Sequence, residues 1–190
     1  KVFRWSGTSF VEFQIFPTTA AGDWEAFVIE GTSYLAVANY FDGSSFTTNS
    51  KVFRWSGTSF VEFQIFPTTA AGDWEAFVIE GTTYLAEANE HDGSRLASFN
   101  INSRVFRWNG ASFVEFQNIP TSGACDWEAF VIEGTSYLAV ANGFDGSSST
   151  INSKVFRWSG ASFVEFQSIP TIGATDWEAF VIEGTSYLAV

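Results

Sequence analysis

Cysteine, histidine and basic residues are scarce in this chain of 190 residues. Cys125 is the only cysteine and His91 the only histidine, which excludes an intrachain disulfide and leaves no pattern typical of a catalytic triad or a zinc site. Nine Lys and Arg residues stand against 21 Asp and Glu, for a net charge of −12. The chain therefore lacks the positive charge that nucleic-acid binding requires.

Long apolar runs are missing as well, so no segment approaches the roughly 20 apolar residues that cross a bilayer as a helix. We therefore expect no membrane insertion. Aromatic residues, by contrast, make up 18% of the chain and hydrophobic residues 46%. This composition excludes a disordered chain, and the aromatic enrichment favours β-strands.

An internal repeat organises the sequence. Residues 1–32 recur letter for letter as residues 51–82, and two looser copies begin at Arg104 and Lys154. A period of about fifty residues is typical of repeat architectures such as propellers and solenoids.

Each repeat predicts four short strands, which we name A to D. In the second copy they cover residues 73–79, 84–88, 105–108 and 113–117. Asn109-Gly110 predicts a tight turn between C and D because both residues tolerate positive φ, and Pro120 is expected to end strand D.

Four antiparallel strands in each unit indicate an all-β protein, a β-propeller, with a duplicated β-sandwich or barrel as the alternative. We expect a single domain over 1–190, made of strands C and D in 1–17, whole blades in 23–67, 73–120 and 126–170, and strands A and B in 176–190. The terminal half-blades could complete one blade within the chain, or between chains as a homo-oligomer, for example two chains making eight blades. Membership of a longer array is the third alternative.

The repeated run Asp-Trp-Glu-Ala-Phe, Tyr-Leu-Ala-Val-Ala-Asn, Ser-Lys-Val-Phe-Arg-Trp and Phe-Val-Glu-Phe-Gln resembles the epitempin-associated repeat, also called EAR or EPTP. The resemblance covers the whole chain and implies a secreted or cell-surface propeller that binds other proteins. In the leucine-rich glioma-inactivated group, the partner is a cell-surface receptor. This chain departs from that pattern, since it has four repeats rather than seven and no leucine-rich domain.

One acidic position opens strand A in every repeat. Because strand A lines the channel of a propeller, these carboxylates form a candidate ring for Ca²⁺, which prefers oxygen ligands: Asp23, Asp73, Asp126 and Asp176. The alternative is that each Asp accepts N–H bonds in the loop from D to A. The Glu residues two positions later either extend this lining or pair with strand-C arginines such as Arg54 and Arg107.

The copies differ chiefly in the loops from B to C and from D to A, which share one face of a propeller. Because loops on a rigid scaffold commonly carry binding, we predict a ligand-binding loop face that includes Tyr40, Phe41, Asp42, Glu90, His91, Asp92, Arg95, Phe144 and Asp145. Neutral variation of exposed loops explains the same differences. His91 is expected to be solvent-exposed, and Cys125 to be a small residue of a D-to-A loop.

These observations predict a non-enzymatic extracellular module that binds a partner protein through the loop face. The alternative is a multivalent lectin with one glycan site in each blade, since exposed Trp side chains stack on sugar rings and linked sites gain avidity. For the repeated Trp residues we favour core packing. An enzyme is the least favoured class, because no catalytic set is present.

Overall fold

The computed structural model describes residues 1–94 and 96–190, and the described residues form strands and turns without a helix. None of them therefore provides a helix that could span a membrane. The strands are β1 (Val2–Trp5), β2 (Phe10–Gln14), β3 (Ala21–Ile29), β4 (Thr32–Asn39), β5 (Thr47–Trp55), β6 (Phe60–Thr69), β7 (Ala71–Ile79), β8 (Thr82–Asn89), β9 (Asn100–Trp108), β10 (Phe113–Ser122), β11 (Ala124–Ile132), β12 (Thr135–Asn142), β13 (Thr150–Trp158), β14 (Phe163–Ile172), β15 (Glu178–Ile182) and β16 (Thr185–Ala189).

These strands build three four-stranded antiparallel sheets in sequential order, which we call the first (β3–β6), second (β7–β10) and third (β11–β14) whole blades. Two further pairs, β1–β2 and β15–β16, form separate two-stranded sheets. Strands β3, β7 and β11 lie side by side at the centre. The prediction of an all-β propeller with four-stranded blades is confirmed, although no closed sheet joins β1–β2 to β15–β16 among the described strands.

The prediction that Pro120 ends strand D is wrong. Pro120 lies inside β10 and faces Asn102 across the ladder, and Pro67 and Pro170 take the same position in β6 and β14. Strand D is the outer edge of its blade, where a missing N–H removes no ladder bond, so proline is tolerated there.

The turn between C and D also differs from the prediction. Asn109 does not adopt positive φ, whereas Gly110 does, at 96°. The loop holds four residues, in which the Asn109 side-chain oxygen accepts N–H bonds from Ala111 (3.0 Å) and Ser112 (2.9 Å). Asn109 therefore acts by binding the backbone of its own turn. The A-to-B turns instead have both central residues at positive φ, as at Glu80 (50°) and Gly81 (78°).

The repeated aromatic residues pack between blades. Trp74 of β7 is 1% exposed and contacts Phe66 of the preceding blade, with ring centroids 5.2 Å apart. Strand-C Trp108 meets Tyr34 and Phe63 of the preceding blade at 6.1 and 5.8 Å. In the whole blades, both tryptophan positions therefore serve blade packing, as we favoured from the sequence.

A repeated glutamine joins each strand D to the next. Gln64 of β6 donates to the carbonyl oxygen of Phe113 (2.8 Å) and accepts the N–H of the same residue (2.9 Å). Gln14 makes the same pair of bonds to Phe60, and Gln117 to Phe163. We call this contact the glutamine bridge; it supplies partners to the outer edge of each blade, which has no neighbouring strand.

One buried ion pair is special to the second whole blade. Glu87 of β8 is fully buried, and the side chain of its cross-strand partner Arg104 donates to it at 2.8 Å. Arg104 also donates to the carbonyl oxygen of Pro67 in the preceding blade. Burial raises the pKa of Glu87 to about 7, against the opposing effect of Arg104. The other whole blades carry Val and Lys at these two positions, and their lysines pair with the surface residues Glu62 and Glu165 instead.

Removing only Arg104 should therefore destabilise the fold strongly. Arg104→Ala leaves a buried carboxylate without its partner and is expected to cost about 3 kcal/mol. The double variant E87V/R104K restores the residues of the other blades and should be as stable as the parent or more so. Chemical unfolding monitored by tryptophan fluorescence measures both.

Lys51→Ala is the matched control, because Lys51 pairs with the exposed Glu62 at 2.8 Å on the surface. Its removal should cost less than about 1 kcal/mol. A double variant that is less stable than Arg104→Ala would contradict this interpretation of the pair.

Candidate functional site at the inner strands and the loop face

The acidic residues of strand A link neighbouring blades. Asp73 accepts the backbone N–H of Trp127 at 2.9 Å, and Asp126 accepts that of Trp177 at 2.8 Å. Asp23 makes the corresponding, longer contact to Trp74 at 3.4 Å. These carboxylates do accept N–H bonds, but from strand A of the next blade rather than within their own loop.

The glutamates two residues later do the same. Glu75 accepts the N–H of Ala129 at 3.0 Å, and Glu128 accepts that of Ala179 at 2.8 Å. The alternative pairing with strand-C arginines is wrong: Arg54 and Arg107 instead lie over Phe63 and Phe116, 5.6 and 5.7 Å from the ring centroids. The inner strands thus carry a column of carboxylates, and among the described residues no arginine forms an ion pair with it.

Burial and mutual repulsion disfavour the charged forms of this column. Burial raises the pKa of Asp126 to about 7, with added repulsion from Asp176 and Glu128, although the Trp177 N–H opposes the shift. Burial raises the pKa of Glu75 to about 8, opposed by the Ala129 N–H and reinforced by the neighbouring glutamates. The pKa of Asp73 is raised well above its usual range for the same reasons. Glu75 and Asp126 therefore take up protons in the neutral pH range.

The geometry of the column does not by itself form a cation cage. Over residues 1–94 and 96–190, no group of three or more Asp, Glu, His or Cys side chains converges closely enough to hold a metal ion. One oxygen of Asp73 and of Asp126 is already engaged by a tryptophan N–H. The Ca²⁺ site predicted from the sequence stays a prediction.

The backbones at the starts of β3, β7 and β11 approach each other closely beside the column of carboxylates. A Cβ on Gly22 would lie 2.6 Å from the carbonyl oxygen of Gly72, and one on Gly72 would lie 3.1 Å from that of Cys125. Cys125 lies at the start of β11, and its Sγ is 3.4 Å from the carbonyl oxygen of Gly123. Burial raises the pKa of the Cys125 thiol to about 11, with repulsion from Glu90 and Asp126, so the thiol stays protonated and unreactive.

The aspartates of the loop face shape their own turns. Asp42 accepts N–H bonds from Ser44 (2.8 Å) and Ser45 (2.7 Å), and Asp145 does the same with the equivalent serines. Asp92 accepts the N–H of Ser94 at 3.0 Å. These bonds, including one from the Ser44 hydroxyl, lower the pKa of Asp42. The carboxylates stay charged and their loops keep a fixed shape.

Aromatic side chains join the three loops of the whole blades into one surface. Successive ring centroids lie between 4.5 and 5.4 Å apart along a line that crosses all three blades. This line, which we call the loop-face aromatic row, consists of Phe41, Phe46, His91, Phe99 and Phe144.

The expectation of a solvent-exposed His91 is wrong. His91 is 6% exposed, because the rings of Phe46 and Phe99 enclose it. Its Nδ1 accepts the N–H of Gly93 at 3.1 Å, which places the ring proton on Nε2. That nitrogen lies 3.3 Å from the Tyr40 hydroxyl.

Tyr40 in turn donates its hydroxyl to Glu90 at 2.6 Å, so a Glu–Tyr–His chain of hydrogen bonds crosses from the first to the second whole blade. Burial and the Glu90 carboxylate raise the pKa of Tyr40. Glu90, Tyr40 and His91 therefore act together as a fixed polar group beside the aromatic row. Arg95, also predicted for this face, lies outside the described residues.

Sequence reasoning missed Phe46 and Phe99, which supply two of the five rings of the row. Their equivalent in the third whole blade is Ser149. The residue at this position varies between the copies, as do the residues at the positions of Tyr40 and His91. A comparison of the copies would therefore have identified Phe46 and Phe99.

The raised pKa values of the acidic column predict that stability falls as pH rises. In the unfolded chain these carboxyls titrate near pH 4, whereas Glu75 and Asp126 in the fold titrate near 8 and 7, so their protonated forms stabilise the fold at low pH. That stability is lost between about pH 5 and about pH 8. We expect the melting temperature in chelator to fall by at least about 4 °C over this range.

Glu75→Gln should flatten this pH profile, whereas Glu178→Gln, at the exposed equivalent position, should change it much less. Thermal unfolding followed by circular dichroism measures both. If Ca²⁺ occupies the column, it should restore the melting temperature at about pH 8, and an unchanged value would remove the calcium prediction. A parent profile that rises with pH would contradict the raised pKa values.

The chain matches the model of the EPTP domain four times, at residues 9–56, 59–109, 112–159 and 162–190. It is 39% identical over 153 residues to a mouse protein, the thrombospondin-type laminin G domain and EAR repeat-containing protein, and 40% identical to the human protein of that name. These matches cover 78% of this chain and 22% of each relative, so the chain spans about a fifth of their length.

Among solved structures, the chain is similar to the GH43_1 enzyme from Xanthomonas citri complexed with xylotriose. The TM-score is 0.61 at 15% identity, over 92% of this chain and 67% of that one. The same enzyme complexed with xylose gives a TM-score of 0.59 at 15% identity, over 88% of this chain and 65% of that one. At such identity the likeness shows the propeller fold alone. The four family matches, together with the blade architecture, show that this chain belongs to the EPTP (EAR) repeat family.

Proposed function

We propose that this chain is a non-enzymatic extracellular module that binds a partner protein on its loop face. The observation that carries the proposal is the loop-face aromatic row. It joins the most divergent loops of three otherwise near-identical blades into one fixed surface, and fixed loops on a rigid scaffold are suited to binding without a large ordering cost.

The chemistry of this face favours a partner with basic and apolar groups. Asp42 and Asp92 are exposed beside the row, and Leu96 of the longest loop is 91% exposed. An isolated apolar side chain of this size, next to carboxylates on a chain of net charge −12, suits a positively charged protein surface that offers an apolar pocket.

An enzymatic role has little support from the same residues. His91 is enclosed by aromatic rings and bonded on both nitrogens, and the raised pKa of Cys125 keeps its thiol protonated. The extracellular assignment is supported by the family and by the laminin G and EAR repeats in the names of the two relatives.

A lectin is the second candidate, and a polar groove favours it. The groove has a volume of about 550 Å³ and lies between the second and third whole blades. Asn102 and Asn152 present exposed amides on its walls, beside Lys154. Amides and a cation of this kind can bind sugar hydroxyls, although no aromatic ring lines the groove for stacking.

Leu96→Ser should weaken binding to a protein partner by about tenfold or more, because a buried apolar anchor at an interface commonly contributes more than 1 kcal/mol. The chain, presented as a multivalent fluorescent probe, is tested against an array of purified extracellular ectodomains and against a glycan array. Binding to an ectodomain that Leu96→Ser reduces supports the proposal.

Val78→Ser is the matched control, since Val78 is 57% exposed near the A-to-B turn, at the opposite end of its blade. It should bind like the parent. Saturable glycan binding that Asn102→Ala removes would support the lectin instead. Ectodomain binding that is lost in Val78→Ser and kept in Leu96→Ser would contradict the proposal that the partner binds on the loop face.

A further inference from the structure

The grooves between successive whole blades differ in what fills them. Arg104, on strand C of the second whole blade, bonds to Glu87 and reaches the carbonyl oxygen of Pro67 in the preceding blade. Its guanidinium therefore occupies the groove between the first and second whole blades. A Cβ on Gly93 would lie 3.1 Å from Cγ2 of Thr69, so the long loop also closes on the first blade.

The groove between the second and third whole blades is open by comparison. The residue equivalent to Arg104 is Lys154, whose Nζ turns to Glu165 of its own blade at 3.0 Å. Pro120, the equivalent of Pro67, lines this groove, which has a volume of about 550 Å³. That volume lies in the range of roughly 300–1,000 Å³ that is typical of small-molecule sites.

Three side chains of the third whole blade bring unused polar atoms to the groove: Asp145, Asn152 and Lys154. The N–H groups of Ser147 and Ser148 and the Ser147 hydroxyl all donate to Oδ1 of Asp145, at 2.7 to 2.8 Å, which leaves Oδ2 as an acceptor. Lys154 forms one ion pair, so its ammonium keeps N–H groups for a ligand. Asn152 is exposed, and no described residue bonds to its side-chain amide.

The charge of the groove favours a neutral ligand. Among the described residues that line it, Asp145 and Lys154 are the ionisable ones, and their charges are opposite. The net charge of −12 on the whole chain disfavours an anionic ligand. Ile101 and Ile151 add apolar surface beside the polar groups. A compact molecule that combines hydroxyl groups with C–H surface, such as a neutral sugar, matches this set.

We propose that the groove between the second and third whole blades binds one neutral pyranose ring, with Asp145, Asn152 and Lys154 bonded to its hydroxyl groups. The proposal rests on the lectin candidate above and holds whether or not the loop face binds a protein. It replaces one glycan site in each blade with a single site among the three whole blades, because Arg104 fills the corresponding groove on the other side of the second blade.

Titration with the neutral methyl pyranosides of glucose, galactose, mannose and xylose, followed by nuclear magnetic resonance, tests the site. At least one glycoside should shift the Asn152 side-chain amide signals saturably, with one molecule bound to each chain. Asn152→Ala should weaken this binding about fivefold, as expected for the loss of one hydrogen bond, with the backbone signals of Asp145 and Ile151 as the readout. Asn49→Ala is the matched control, since Asn49 is exposed at the equivalent position of the first whole blade, and it should bind like the parent.

A second variant closes the groove with the chain's own chemistry. V140E/K154R transfers the glutamate–arginine pair of the second blade to the third, and should place a guanidinium against the Pro120 carbonyl oxygen and abolish binding. E87V/R104K makes the reverse exchange in the second blade and should keep the site between the second and third blades. If V140E/K154R does not fold, Asn152→Ala still decides the question.

The absence of saturable binding by all four glycosides at tens of millimolar would overturn the proposal. So would binding that Asn152→Ala leaves unchanged, or a methyl glucuronide that binds more tightly than the methyl glucoside. Leu96→Ser, which tests the loop face, should bind the glycoside like the parent, so the groove and the loop face succeed or fail separately.

Discussion

The contact between successive blades is the constraint on which the rest of the structure depends. A sheet of four short strands has two faces to cover and an outer edge to satisfy, and it is too small to be stable alone. Here each blade covers the next with the Trp of strand A at the centre and the Trp of strand C further out. Backbone N–H groups of the inner strand are bound by carboxylates, and those of the outer strand by glutamine. The same chemistry recurs from blade to blade because the residues recur.

This dependence explains why an acidic column can exist inside the protein. Asp73 and Glu75 are not held by positive charges; they are held by N–H groups of the next strand A. The inter-blade hydrogen bonds thus offset the repulsion among the carboxylates. Proton uptake near neutral pH reduces that repulsion further. The Glu87–Arg104 pair differs from this arrangement, because there a buried carboxylate is held by a positive charge.

Much of the fold could be predicted from the sequence, because the strand and turn patterns are local and occur in four copies. The period, the strand count and the A-to-B turns follow from spacing, glycine position and aromatic alternation. The predictions that failed concern contacts between residues that lie far apart in the sequence. Pro120 is tolerated because strand D is an edge, and His91 is buried because Phe46 and Phe99 reach it from different loops; neither fact is visible within one repeat. Arg54 and Arg107 of strand C lie over aromatic rings rather than pairing with the strand-A glutamates, which the spacing within one repeat does not specify. The loop face was located by comparing copies, but its aromatic row depends on side-chain directions that spacing does not specify.

The exchange of amide protons tests the central role of the blade contact most directly. The Phe113 N–H lies on an outer edge and donates to the side chain of Gln64 in the preceding blade. By nuclear magnetic resonance it should be protected from exchange in the parent and should exchange rapidly in Gln64→Ala. The Phe163 N–H, bonded by Gln117, should stay protected in both. Rapid exchange at Phe113 in the parent, or protection that survives Gln64→Ala, would contradict the account.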